Sequence, residues 1–215
     1  MAQKILATDS EPALHLRERD WRMGHLIEQV GDIEYYVSES GFANLAHSII
    51  EQMLSTKVAA TMDRRLRDLC GGELAPEPLS KLTVEEIRGI GVSQRKAENL
   101  HNLALTVTED DLDALADLPD EEARAWLTAI PGVGTWTADM FMIFQLERPD
   151  VLPLSDLSFR RAFEWLYGAP VDDENVEAVV CILWRPWRSY GARYLYQAQN
   201  MGLPRQGTAA EVLGL

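Results

Sequence analysis

Cysteine is nearly absent from this chain. Two residues, Cys70 and Cys181, cannot supply a four-cysteine iron–sulfur cluster, and no metal-ligand spacing surrounds either one. They read as buried thiols in a reducing compartment. Histidine is as scarce: His15, His25, His47 and His101 are scattered and suggest no metal site. There is no Walker or dinucleotide motif. No signal-peptide core follows the first residues, and the longest apolar runs ("MFMIF", "AVVCILW") are far too short to span a bilayer. These absences lead us to expect a soluble intracellular protein. Basic charge is also in deficit, with 20 Lys and Arg against 34 Asp and Glu and a net charge of −14. That excludes a broadly basic nucleic-acid coat but leaves room for a local face. Acid gathers in "TEDDLDALADLPDEEARAW", whereas Arg160, Arg161, Arg185, Arg188 and Arg193 lie in the last third.

What is present is helical patterning. Apolar residues make up 47% of 215 residues, enough for one large domain or two lobes. Phe42, Leu45, Ile49, Met53 with Leu54, and Val58 recur at helical spacing through a stretch closed by Gly71 and Gly72. Thr83 and Glu86 form a capping box. "DEEARAWLTAI", "WTADMFMIFQL", "DLSFRRAFEWLYG", "ENVEAVVCILW" and "PWRSYGARYLYQAQNMG" read as further helices, the last with Pro186 near its first turn. No run alternates long enough to be read as a strand, so the fold class is all-α. "RGIGVSQRKAENL" and "AIPGVGTWTADMF" echo one another as helix, Gly-x-Gly, helix.

In the second of these, Gly132 and Gly134 can take positive φ and admit another backbone closely. The helix starting near Trp136 then presents N–H groups that have no partner inside the helix. A phosphate satisfies them and gains from the helix dipole, so the turn can grip DNA without a basic side chain.

These residues resemble the helix-hairpin-helix DNA glycosylases that carry a Gly/Pro-rich loop followed by an aspartate. "PDVLPLSDLSFRRAF" puts Asp156 at the family spacing. The branch most resembled is the AlkA-type 3-methyladenine DNA glycosylase II. "IIEQMLSTKVAATM" is similar to its wedge signature, with Glu51 at the usual glycine, and "WRPWRSYGARYLYQ" to its C-terminal stretch. The likeness runs from about residue 14 to residue 203. It implies two helical lobes with a cleft between them, in a compact form lacking an N-terminal β domain. Residues 35–150, with the hairpin, would form one lobe; residues 1–34 plus 151–215, with the catalytic aspartate, the other.

The resemblance assigns roles residue by residue. Asp156 becomes the catalytic carboxylate, which stabilises the oxocarbenium formed as the N-glycosidic bond breaks. From the residues alone it reads as a helix N-cap, and one residue can do both. Met53 becomes the side chain that enters the base stack, with Gln52 contacting the opposite strand; from the residues alone Met53 reads as core. Trp136 and Tyr196 become base-pocket aromatics, with Met140 and Leu157 standing where the family keeps two more. Trp136 also occupies the place of the amine nucleophile of strand-cleaving relatives, so no lyase activity is expected. Gly132, Gly134 and Thr137 become phosphate contacts. The backbone carbonyls of Thr128, Ile130 and Val133 become ligands of a structural monovalent cation, Na⁺ or K⁺, and no other cofactor is required. The expected activity is monofunctional release of alkylated purines from damaged double-stranded DNA after base flipping. The chain would act as a monomer, off the membrane, in the bacterial cytoplasm or the eukaryotic nucleus. Two alternatives stay open: a glycosylase for deaminated, mismatched or etheno bases, and a non-catalytic DNA-damage binder. A protein-interaction module, suggested by the acidity, is a weaker third.

Overall fold

The computed structural model describes residues 2–169 and 182–215. The helix expected over "ENVEAVVCILW" therefore lies almost wholly outside the described residues, as does Cys181. The chain divides into two compact units, Met1–Val37 with Glu147–Leu215, and Ser38–Leu146.

The first unit opens with strand β1 (Ala2–Leu6), helices α1 (Glu11–Arg19) and α2 (Trp21–Val30), and strand β2 (Ile33–Val37). β1 and β2 pair antiparallel, with Ala2 opposite Val37 and Leu6 opposite Ile33. This ribbon departs from the expectation of no strands. Each strand has only five residues, too few for alternation to stand out. The unit's helices continue with α11 (Leu157–Tyr167), α12 (Arg188–Asn200) and α13 (Ala209–Leu213). Pro186 precedes α12 by two residues, near its first turn as expected. Leu16, Met23, Leu26, Ile27, Phe159, Phe163, Trp184 and Leu195 fill the core. Gly191 of α12 is required there, because a Cβ would sit 2.5 Å from the Trp184 ring. The buried Asp20 is fully engaged. Its Oδ1 caps α2 by accepting from the N–H groups of Arg22 and Met23, while Oδ2 accepts from Trp184 Nε1 at 2.9 Å and from the Tyr167 hydroxyl.

The second unit holds α3 (Gly41–Glu51), α4 (Thr56–Leu69), α5 (Pro76–Ser80), α6 (Val84–Gly89), α7 (Gln94–Thr106), α8 (Glu109–Ala114), α9 (Asp120–Ala129) and α10 (Thr135–Phe144). Phe42, Leu45, Ile49, Leu66, Leu100, Leu127 and Phe141 are among its buried side chains. α3 packs against α4, α7, α8 and α10 and is the hub of the unit. The capping box at Thr83 and Glu86 forms as expected. One expectation fails informatively: the apolar run from Phe42 to Val58 is two helices, broken between Glu51 and Thr56. Among the described residues no helix is long and apolar enough to cross a membrane.

Candidate functional site

In the second unit, α9 and α10 form a hairpin joined by Ile130 to Gly134. Val133 N–H donates to the Ile130 carbonyl at 3.0 Å and closes the turn. Gly132 has φ +88°, and a Cβ there would lie 2.2 Å from Asn99 Nδ2. Gly134 differs: its φ is −92°, and a Cβ would meet open space. Gly132 is thus dictated by backbone and packing, whereas Gly134 keeps clear the approach to α10. No side chain caps that helix. The buried Asp139 of α10 pairs with Arg124 of α9, clasping the two arms.

The Thr137 side chain is 1% exposed, and its hydroxyl accepts from Gln52 Nε2 at 3.0 Å, which leaves the phosphate contact expected of this residue to its backbone N–H in the first turn of α10. The hydroxyl braces the turn from within. The same Gln52 Nε2 donates to the Gly132 carbonyl at 2.8 Å, so this side chain ties its loop to the hairpin.

Met53 stands at the tip of the α3–α4 break. It adopts φ +58°, a conformation rare outside glycine, and is fully exposed at 101%. That removes the core reading: a thioether side chain held wholly in water satisfies no packing requirement. Beside it, Lys96 of α7 donates to the Ile50 carbonyl at 2.7 Å and the Gln52 carbonyl at 2.5 Å. Burial pushes its ammonium below the usual lysine range. A groove of about 630 Å³ runs between these elements, lined by Met53, Gly91, Ser93, Arg95, Lys96, Asn99 and the Gly132–Gly134 turn. The two Gly-x-Gly segments that echo one another in the sequence therefore face one groove, Gly91 turning at φ +109°. Lys96 and Asn99 carried no signal in the sequence, because a lysine and an asparagine on an amphipathic helix look like solvated residues.

Trp136 and Met140 lie four residues apart on α10, hence on one face, and both are half-buried. The carbonyls of Ile130 and Val133 belong to buried residues at the turn, and Thr128 precedes them in the last turn of α9. The Thr128 and Ile130 oxygens lie at the negative end of the α9 dipole, and backbone carbonyls are hard oxygen donors of the kind a monovalent cation takes.

In the first unit, Asp156 is the N-cap of α11. Its Oδ1 accepts from Phe159 N–H at 2.6 Å, and it is only 8% exposed. The Tyr196 hydroxyl hydrogen-bonds the same carboxylate; burial first, then the Asp156 charge and this bond, push that hydroxyl far above the usual tyrosine range. It stays protonated, a permanent donor. Leu157 follows Asp156 and is 58% exposed. The arginines divide. Arg188 clamps Asp150 through Nε to Oδ1 at 2.6 Å and Nη2 to Oδ2 at 3.1 Å, with Arg185 3.8 Å away from the same carboxylate. Arg193 is buried over the Tyr35 ring at 4.2 Å. Arg160 and Arg161 are exposed.

A glycine turn leading into a helix that no side chain caps offers its first N–H groups to an anion such as a backbone phosphate. The chain belongs to the HhH-GPD superfamily of base excision DNA repair proteins, whose family model matches residues 46–189. It is 27% identical to DNA-3-methyladenine glycosylase 1 of Schizosaccharomyces pombe, a match over 93% of this chain and 91% of the yeast protein. The crystal structure of a Bacillus halodurans DNA-3-methyladenine glycosidase superposes with a TM-score of 0.84 at 32% identity, covering 99% of this chain and 100% of the other. The S. pombe Mag1 glycosylase in complex with abasic DNA superposes with a TM-score of 0.78 at 26% identity, covering 89% and 97%.

Proposed function

We propose that the chain is a monofunctional DNA glycosylase that hydrolyses the N-glycosidic bond of alkylated purines in duplex DNA. The observation that carries this reading is Asp156: a nearly buried carboxylate, fixed at a helix start and held by the Tyr196 hydroxyl. As the bond between base and sugar lengthens, positive charge grows on the sugar. A fixed carboxylate stabilises that charge more strongly where water is excluded. The bond's electron pair leaves with the base. A methylated purine already carries a positive charge, so it departs neutral without a second acid to protonate it. Water, hydrogen-bonded to Asp156, adds to the sugar carbon and passes its proton to that carboxylate, and an abasic site with an intact strand results. Trp136 offers an aromatic face to the cationic base, worth about 0.5–2 kcal/mol, and no amine at that position can form a Schiff base.

Duplex binding is assigned to the Gly132–Gly134 turn and the first N–H groups of α10, with Met53 filling the space vacated by the flipped base. The carbonyls of Thr128, Ile130 and Val133 would hold a monovalent cation, which supplies positive charge facing a phosphate. The chain would act as a monomer.

The test is base release from methylated duplex DNA, followed by chromatography, for the wild type beside Asp156→Asn. Release of 3-methyladenine and 7-methylguanine by wild type alone is the expected result. Equal release by both removes Asp156 from the chemistry. Release only of hypoxanthine, uracil or ethenoadenine moves the substrate class. Tight binding to damaged duplex without release of any base leaves a damage binder.

A further inference from the structure

Exposure alone does not aim a wedge. Met53 sits at φ +58°, and a side-chain-bearing residue keeps such a backbone only where its surroundings over-determine it. Those surroundings are identifiable. The peptide plane joining Gln52 to Met53 carries the Gln52 carbonyl, and Lys96 Nζ holds that oxygen at 2.5 Å while holding the Ile50 carbonyl at 2.7 Å. Fixing the carbonyl fixes the plane, and the plane sets the direction in which Met53 leaves the loop. The attraction is reinforced by position, since Ile50 lies in the last turn of α3, where the helix dipole favours a cation. A compact ammonium with three donors can serve two carbonyls from one point, which a planar guanidinium does less readily. The side chain of Gln52 then fastens the same residue to the Gly132 carbonyl and the Thr137 hydroxyl. Lys96 itself stands in the first turn of α7, directly behind the Gly91 turn.

We infer that Lys96 is a positioning residue for base opening: its ammonium, held on the Ile50 and Gln52 carbonyls, locks the loop that presents Met53 to the duplex. The inference rests on Met53 being the intruding side chain. Lys96 touches neither the base nor the sugar. It acts through Met53, so its effect should vanish where no base pair has to be opened.

The experiment compares release of 7-methylguanine from methylated duplex and from methylated single-stranded DNA by wild type, Lys96→Met, Met53→Ala and the double variant. Lys96→Met keeps the aliphatic stem and removes the donors. On duplex it should slow release about tenfold or more, the scale of a charge-assisted hydrogen bond. The double variant should be no slower than Met53→Ala, because both substitutions remove one function. On single strands all four should release base at similar rates. Multiplicative losses in the double variant, an unimpaired Lys96→Met, or an equal Lys96→Met loss on both substrates would each overturn the inference. Met53→Ala as fast as wild type on duplex would instead overturn the wedge reading beneath it. Should Lys96→Met not fold, Lys96→Gln, which leaves one amide donor in place, enters the same comparison with the same outcomes.

Discussion

Asp156 caps α11, and the proposed chemistry calls on the same atoms. The cap needs an oxygen to accept the Phe159 N–H; the proposed chemistry needs negative charge. Asparagine keeps the first and loses the second. We therefore expect Asp156→Asn to melt close to the wild type while losing base release, and Asp156→Ala to lose activity and about 1 kcal/mol of stability as well. Thermal unfolding of the pair, read beside the release assay, separates the tasks. The hairpin glycines divide in a similar way. Gly132→Ala places a side chain at φ +88° against Asn99, and should cost about 1–3 kcal/mol. Gly134→Ala meets nothing in the protein, so the fold should keep its melting temperature. Its methyl group would stand in the approach to α10, and affinity for an abasic-analogue duplex should fall. Unchanged affinity would mean that the phosphate does not approach there.

The α3–α4 hairpin carries a titratable tie of its own. His47 Nδ1 lies 3.2 Å from Asp63 Oδ1, and Arg67 Nε donates to Asp63 Oδ2 at 2.7 Å. Hydrogen bonding to Asp63 raises the imidazole above its ordinary value, burial opposing and the Asp63 and Glu51 charges adding. Burial pushes the Asp63 carboxyl up, but the bonds from His47 and Arg67 together outweigh it and hold it low. A raised histidine stabilises the folded state fully below its unfolded value of about 6.5, and that contribution fades as pH rises through the folded value. Between pH 6 and 9 the wild type should lose melting temperature relative to His47→Gln, and parallel curves would refute the coupling. At this scale the sequence was legible in part. The hairpin could be read because Gly-x-Gly after proline interrupts helical spacing in the chain itself. The break at Gln52 could not, because Leu45, Ile49, Met53 and Val58 keep that spacing across it. The interruption comes from Lys96 and Gly132, residues 44 and 80 positions from Gln52. The ties of Gln52 to Gly132 and Thr137 were hidden for the same reason, since spacing does not say which way a side chain turns. Asp156 was legible as a cap from "SDLS", but its Tyr196 partner lies on a helix that no local pattern connects to it.

Across the whole molecule the acidic excess sets how DNA can be held. With 34 acidic residues against 20 basic ones, affinity resting on N–H groups and a dipole releases few counterions. The logarithm of duplex affinity should fall with the logarithm of salt on a slope no steeper than about −3, against about −10 for a strongly basic DNA binder. A steep slope in a salt titration would reveal more basic contacts to phosphate than Arg95 and Lys96 at the groove can supply. Low salt should also matter less to release rates than to encounter, because the charges at Asp156 are shielded from solvent.

Met53 has a chemical liability beside its proposed mechanical role. A thioether wholly in water is open to peroxide, and its sulfoxide is polar, swollen and ill suited to lying between bases. Mild oxidation should therefore blunt duplex activity before it unfolds the protein. A methionine sulfoxide reductase should restore that activity, and Met53→Leu should resist the loss. A repair protein that meets DNA with a methionine would be disarmed by oxidative stress and rearmed by the cell's reductants.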